Sequence, residues 1–73
     1  MSKFYCVSET YYRNGKAPLI RQFTVNYVVV PNHAVKEYDD YIEHTYFYKD
    51  KKQADNHYKR VKLCVDIASE SEV

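Results

Sequence analysis

The chain has very little glycine and proline: one Gly and two Pro in 73 residues, with no tryptophan and two cysteines. So few chain breakers exclude collagen-like and Pro/Gly-rich disordered classes. Two cysteines are too few for a secreted disulfide scaffold. No apolar run reaches the length of a membrane span, and the first residues, MSKFYCVSE, lack the apolar stretch of a signal peptide. The expectation is a cytoplasmic protein that does not enter a membrane. Its thiols, Cys6 and Cys64, are then small apolar residues, bridged only if the first and last strands lie side by side.

What is present is aromatic and charged. Hydrophobic residues make up 45% of the chain, but nine of them are tyrosine. Ile, Leu, Val and Met together number 15. A chain this short forms one domain, with a stability of roughly 4–11 kcal/mol. Its small aliphatic core must be rimmed by phenol rings. Formal net charge is +1, which excludes a uniformly basic or acidic protein. The sign is segregated, however. Residues 1–30 and 49–62 are net basic, while 31–48 and 63–73 are net acidic. Such a patchwork suits a complementary partner surface better than general polyanion binding.

Residues 3–12 and 19–30 read as strands rich in β-branched and aromatic residues. Asn14-Gly15 between them signals a two-residue type I′ hairpin, since both central positions need positive φ. That turn opposes Arg13 to Lys16, Thr10 to Leu19, Cys6 to Phe23 and Phe4 to Val25. Phe4, Cys6, Leu19, Phe23, Val25, Tyr27 and Val29 then share one side. Pro18 opposite Tyr11 predicts fraying near the turn.

Pro31 stops the second strand, and Asn32 is a good helix N-cap. Ala34, Val35, Tyr38, Tyr41 and Ile42 recur at helical spacing, which predicts a short amphipathic helix over 33–43. An irregular connection running into a strand near Tyr41 competes with it. Residues 44–49 read as a third strand. Asp50 with Gln53 resembles a capping box, the carboxylate accepting from the N3 amide. The helix it opens buries Ala54, Tyr58 and Val61. In 61–67, Val61, Leu63, Val65 and Ile67 alternate with polar residues and predict a last strand, with one long helix to 67 as the alternative.

The expected fold is a small single α+β domain. Its N-terminal β-hairpin joins a three- to four-stranded, mostly antiparallel sheet with one or two short helices on one face, in the order ββαβαβ. Residues 1–67 form the domain, and 68–73 a flexible acidic tail.

Site chemistry is sparse. His33, His44 and His57 with Cys6 and Cys64 show no CxxC, HxxxH or HxH spacing, so no metal and no cofactor is expected. No GxSxG-like motif organises a nucleophile. Glu37, Asp39, Asp40 and Glu43 offer carboxylate pairs, but solvated helix faces do so equally, and so small a fold has little room for a pocket that tunes them. The chain therefore reads as no enzyme. Lys49, Lys51, Lys52, Lys59, Arg60 and Lys62 follow Tyr46-Phe47-Tyr48. Aromatics beside lysines can stack bases and hold phosphates, so nucleic-acid binding through Tyr46, Tyr48 and the Lys49–Lys62 group is the alternative function.

The tyrosines carry the leading reading, because they exceed what the core can enclose. Tyrosine offers a large rigid contact with a polar tip, which suits protein interfaces. The expected function is a small protein-binding module, an inhibitor or adaptor, acting through Tyr5, Tyr11, Tyr12 and Tyr38 beside Asp39 and Asp40. Accessory proteins that viruses of bacteria direct at host proteins have this profile. A homodimer that satisfies the exposed rings is a further option.

Overall fold

In a computed structural model, which describes residues 2–71 and side chains through residue 66, four strands precede a single helix. These are β1 (Ser2–Tyr12), β2 (Leu19–Tyr27), β3 (His33–Glu37), β4 (Tyr41–Tyr48) and α1 (Lys51–Ser71). The sheet is antiparallel throughout, with spatial order β2-β1-β4-β3. The helix packs on β1, β2 and β4. The class is the expected α+β one, but the order is ββββα rather than ββαβαβ.

The hairpin register is the expected one: Thr10 opposes Leu19, Cys6 opposes Phe23, and Phe4 opposes Val25. Its connection differs. Gly15 alone has positive φ, at 82°, so Asn14-Gly15 does not form a type I′ turn. Asn14 Oδ1 instead accepts from the Lys16 amide at 3.0 Å, an Asx turn inside a longer loop. β1–β2 pairing ends at Thr10–Leu19, short of Pro18, while β1 runs on to Tyr12 against β4.

The helix expected over 33–43 is instead a β-hairpin. His33 pairs with Tyr46 and Glu37 with Ile42. Asp39-Asp40 makes its tight turn, closed by the Tyr38 amide donating to the Tyr41 carbonyl at 2.8 Å. Val35, Tyr38 and Tyr41 are strand formers, and the Asp pair is a turn signal, so strand preference overrode the helical spacing.

The last strand expected over 61–67 is also absent, because α1 continues through it. Ala54, Tyr58, Val61 and Val65 form its sheet-facing stripe. Leu63 belongs to no stripe and is 60% exposed. Asp50 caps the helix, accepting from the N2 amide of Lys52 at 3.0 Å rather than from N3. Helix α1 is followed to Ser71, which takes in part of the expected tail; residues 72–73 lie outside the described residues.

Beneath α1 lies the core: Val7, Ile20 and Ala54 are buried, with Tyr5, Tyr48, Tyr58, Val61 and Val65 around them. Alternation along β1 sends Phe4, Cys6, Ser8 and Thr10 to the opposite face. All four are buried although no helix lies over them. Ser8 Oγ is fully enclosed there with no hydrogen-bond partner among the described residues. A buried unpaired polar group costs about 1–3 kcal/mol. Ser8→Ala is therefore expected to raise the free energy of unfolding by about 1 kcal/mol, and a lowered urea midpoint would refute that account.

Candidate functional site: the open face of the sheet

The two faces of the sheet have different chemistry. The helix-covered face carries the polar network. Glu9, at the centre of β1, is 7% exposed and His57, on α1, is 6% exposed. His57 Nε2–H donates to Glu9 Oε2 at 2.7 Å, and Nδ1 accepts from the Tyr48 hydroxyl at 2.6 Å. The Tyr11 hydroxyl donates to the other Glu9 oxygen. Strand pairing sets this up, since Glu9 stands opposite His44 and Tyr5 opposite Tyr48 on β4. His33 and His44 share a hydrogen bond between Nε2 and Nδ1 at 2.9 Å, and His33 stacks on Tyr46 at 4.3 Å. Burial, the bond to Glu9 and the Glu9 charge together push the Tyr11 phenol well above its ordinary range. Burial, then Glu9 and Tyr48, push Tyr46 up as well.

This network binds helix to sheet. A second link is Gln22 Nε2, which donates to Asp55 Oδ1 at 2.6 Å, while Lys51 donates to Asp55 Oδ2 at 2.9 Å. Both hydrogen bonds and the Lys51 charge hold the Asp55 carboxyl below its ordinary value. Among the described residues no three His, Cys, Asp or Glu side chains form a group that could hold a metal. Cys6 is buried and Cys64 exposed, both as free thiols.

The other face has no helix over it. Register and alternation place Phe4, Cys6, Phe23, Val25, Tyr27, Phe47 and Ala34 there, with Leu19 at one end. Of the side read from the sequence, Phe4, Cys6, Leu19, Phe23, Val25 and Tyr27 lie here, whereas Val29 falls past the end of β2. Phe23 is 38% exposed and Tyr27 53%, while Val25 and Phe47 are half-buried. Apolar side chains cluster at the Phe23 end of this face, and clustered exposed apolar residues are the kind of surface that serves interactions. At the end of the sheet, by the start of β1 and the end of β4, lies a hollow of about 460 Å³ whose lining joins both faces: Phe4 and Phe47 from the open one, His33, Tyr46 and Tyr48 from the helix side. Charges cross the middle of the open face: Arg21 lies 3.6 Å from Glu43, and Lys36 stands opposite Glu43.

The expected protein-binding residues divide between the two faces. Tyr12 and Tyr38 lie at the Leu19 end of the open face, where Tyr38 stacks on Tyr41 at 4.5 Å and Tyr41 meets Tyr12 at 5.9 Å. Asp39 and Asp40 are exposed in the adjoining turn, held by Arg13, whose amide donates to the Asp40 carbonyl at 2.9 Å. Tyr5 and Tyr11 are on the helix side, Tyr5 against the core cluster and Tyr11 on Glu9. Three tyrosines are exposed, Tyr11, Tyr27 and Tyr38, and the other six are half-buried.

Tyr46 and Tyr48 also lie on the helix side, half-buried. The hydroxyl of Tyr48 is bound to His57, and the ring of Tyr46 is flanked by His33 and His57. Lys49, Lys51, Lys52, Lys59 and Arg60 are exposed at the start of α1 and along it. Tyr46, Tyr48 and Lys49 line the same hollow at the end of β4. Sequence reasoning missed Glu9 and His57. Their only signal was a histidine inside an otherwise apolar helix stripe.

Comparison of the chain with protein-family models, with curated proteins and with solved structures finds no match.

Proposed function

We propose that this protein is a small non-enzymatic binding module, an inhibitor or adaptor working in the cytoplasm, that docks another protein on the open face of its sheet. One observation supports the reading: on the face of the sheet away from α1, Phe23 and Tyr27 are exposed and Val25 and Phe47 half-buried, and no strand or helix among the described residues lies over them. Aromatic anchors dominate the energetics of interfaces. Tyr12, Tyr38, Asp39 and Asp40 supply the polar rim at one end. The tyrosine surface read from the sequence is thus narrowed, with Tyr5 and Tyr11 serving the helix side.

Affinity capture from cells that naturally make the protein, comparing wild type with Tyr27→Asp and Phe23→Asp, tests this. A protein held by the wild type and lost at least tenfold with either variant, at unchanged circular dichroism, is the expected result. Capture indifferent to both variants would overturn the proposal. So would nucleic acid binding at low salt that Lys51→Glu with Lys52→Glu abolishes, since the face would then not be the working surface.

A further inference from the structure

We infer that the hollow at the end of the sheet is a binding site for a free nucleoside 5′-monophosphate, a flat base joined to a single phosphate. The inference goes beyond the docking reading and does not rest on it, since neither Phe23 nor Tyr27 lines the hollow.

The hollow has the size and the walls for such a ligand. At about 460 Å³ it lies within the ~300–1,000 Å³ of small-ligand sites. Its walls are aromatic: Phe4 is buried, and Tyr46, Phe47 and Tyr48 are half-buried. Tyr46 already stacks on His33 at 4.3 Å. Phe47 and Tyr48 stack on no ring among the described residues, and Tyr48 meets His57 edge to face at 5.7 Å. The Tyr48 hydroxyl is bound to His57, which is bound in turn to Glu9. The ring is therefore fixed before a ligand arrives, and preorganised walls lower the cost of binding. With its hydroxyl already engaged, what Tyr48 offers a ligand is its ring, and bases stack on such rings.

The polar groups decide which flat ligand fits. Lys49 is the only Lys, Arg, Asp or Glu that lines the hollow. It makes no ion pair among the described residues, whereas Lys51, two residues on, is engaged by Asp55. With no carboxylate in the lining, the hollow favours an anion over a cation. Lysine holds phosphate as a point charge. Asn32 and Gln53, both exposed, add two side-chain amides to the lining. Each amide can donate and accept at once, which matches the edge of a base.

A ring to stack, an edge to pair and one anion to hold describe a nucleotide. A nucleic-acid strand would call for rings and cations repeated along its path. Lys51, Lys52, Lys59 and Arg60 do not line the hollow, which carries the charge for a single phosphate.

Calorimetric titration of the full chain with adenosine, guanosine, cytidine and uridine 5′-monophosphates tests this. At least one of the four is expected to bind. The matching nucleoside and inorganic phosphate, the two halves of the ligand, are each expected to bind at least tenfold more weakly. Lys49→Ala and Asn32→Ala change exposed side chains, so circular dichroism should not move; the first is expected to weaken binding at least tenfold and the second severalfold. Phe23→Asp should leave it unchanged. No binding of any of the four at millimolar concentration overturns the inference. Binding that survives Lys49→Ala, or a nucleoside that binds as tightly as its monophosphate, overturns it as well. So does a 5′-phosphorylated oligonucleotide that binds more tightly than the mononucleotide, since a strand would then be the ligand.

Discussion

His57→Ala is expected to remove about 2–4 kcal/mol of folding stability, a large share of the roughly 4–11 kcal/mol that holds a domain of this size. Glu9 sits at the middle of the central strand, and the His57 imidazole is one of its two side-chain partners; the other is the Tyr11 hydroxyl. Alanine takes away the donor, leaves a buried carboxylate with one hydrogen bond, and strips the Tyr48 hydroxyl of its acceptor. It also opens a cavity between helix and sheet. Replacing both members by apolar residues, Glu9→Leu with His57→Phe, should recover much of the loss, because a buried pair is costly to break but cheap to replace as a unit. Urea unfolding of the two single variants and the double variant measures this as a cycle. A loss below about 1 kcal/mol for His57→Ala, within the range of an ordinary surface change, would show that Glu9 and His57 do not lock α1 to the sheet.

That lock explains why the helix chose the face it covers, which the sequence did not disclose. Strand alternation identified Phe4, Cys6, Phe23, Val25 and Tyr27 as one side, and hairpin pairing has them there. The more apolar side was the natural candidate for the core. Yet α1 carries His57 within its narrow stripe, and the partner for a buried imidazole is Glu9, on the other side. Val7 and Ile20 complete that side's small apolar core. Periodicity sees only apolar residues, so a polar link between elements far apart in sequence is invisible to it. The same blindness produced the two errors of local structure. Val35, Tyr38, Tyr41 and Ile42 fit both a helix and a hairpin, and the deciding evidence was the edge that β4 offered. Val61, Leu63 and Val65 fit a strand only while Leu63 counted as core; once it lies exposed, the stripe through Ala54, Tyr58, Val61 and Val65 is helical. The first hairpin's register survived a wrong turn type because side-chain alternation constrains register more tightly than loop chemistry does. As for function, the apolar residues of the open face were legible, and their exposure was not.

Stability should fall steeply as pH rises above about 10, the ordinary tyrosine value. Tyr11, Tyr41 and Tyr46 all hold their protons more tightly in the folded chain than in the unfolded one. Burial is the leading cause at each, joined by the Glu9 carboxylate at Tyr11 and Tyr46 and by Tyr38 and Glu43 at Tyr41. The sign follows from the proton count. Below that pH both states carry neutral phenols, and the contribution is fully present. Above it the unfolded chain ionises while the folded chain does not, so unfolding releases protons and is favoured by further alkali. Lys51, raised mainly by its hydrogen bond to Asp55, acts in the same direction. Thermal melts from neutral to strongly alkaline pH, with phenolate absorbance followed in parallel, should show some phenols ionising near the ordinary value and the remainder only as the fold is lost. Glu9→Gln removes the charge behind two of the three shifts, so it should flatten the alkaline slope even as it lowers stability at neutral pH. All nine phenols titrating together near the ordinary value, with the melting temperature unmoved, would mean that the tyrosines beneath α1 and along β4 are open to water rather than held in the network around Glu9.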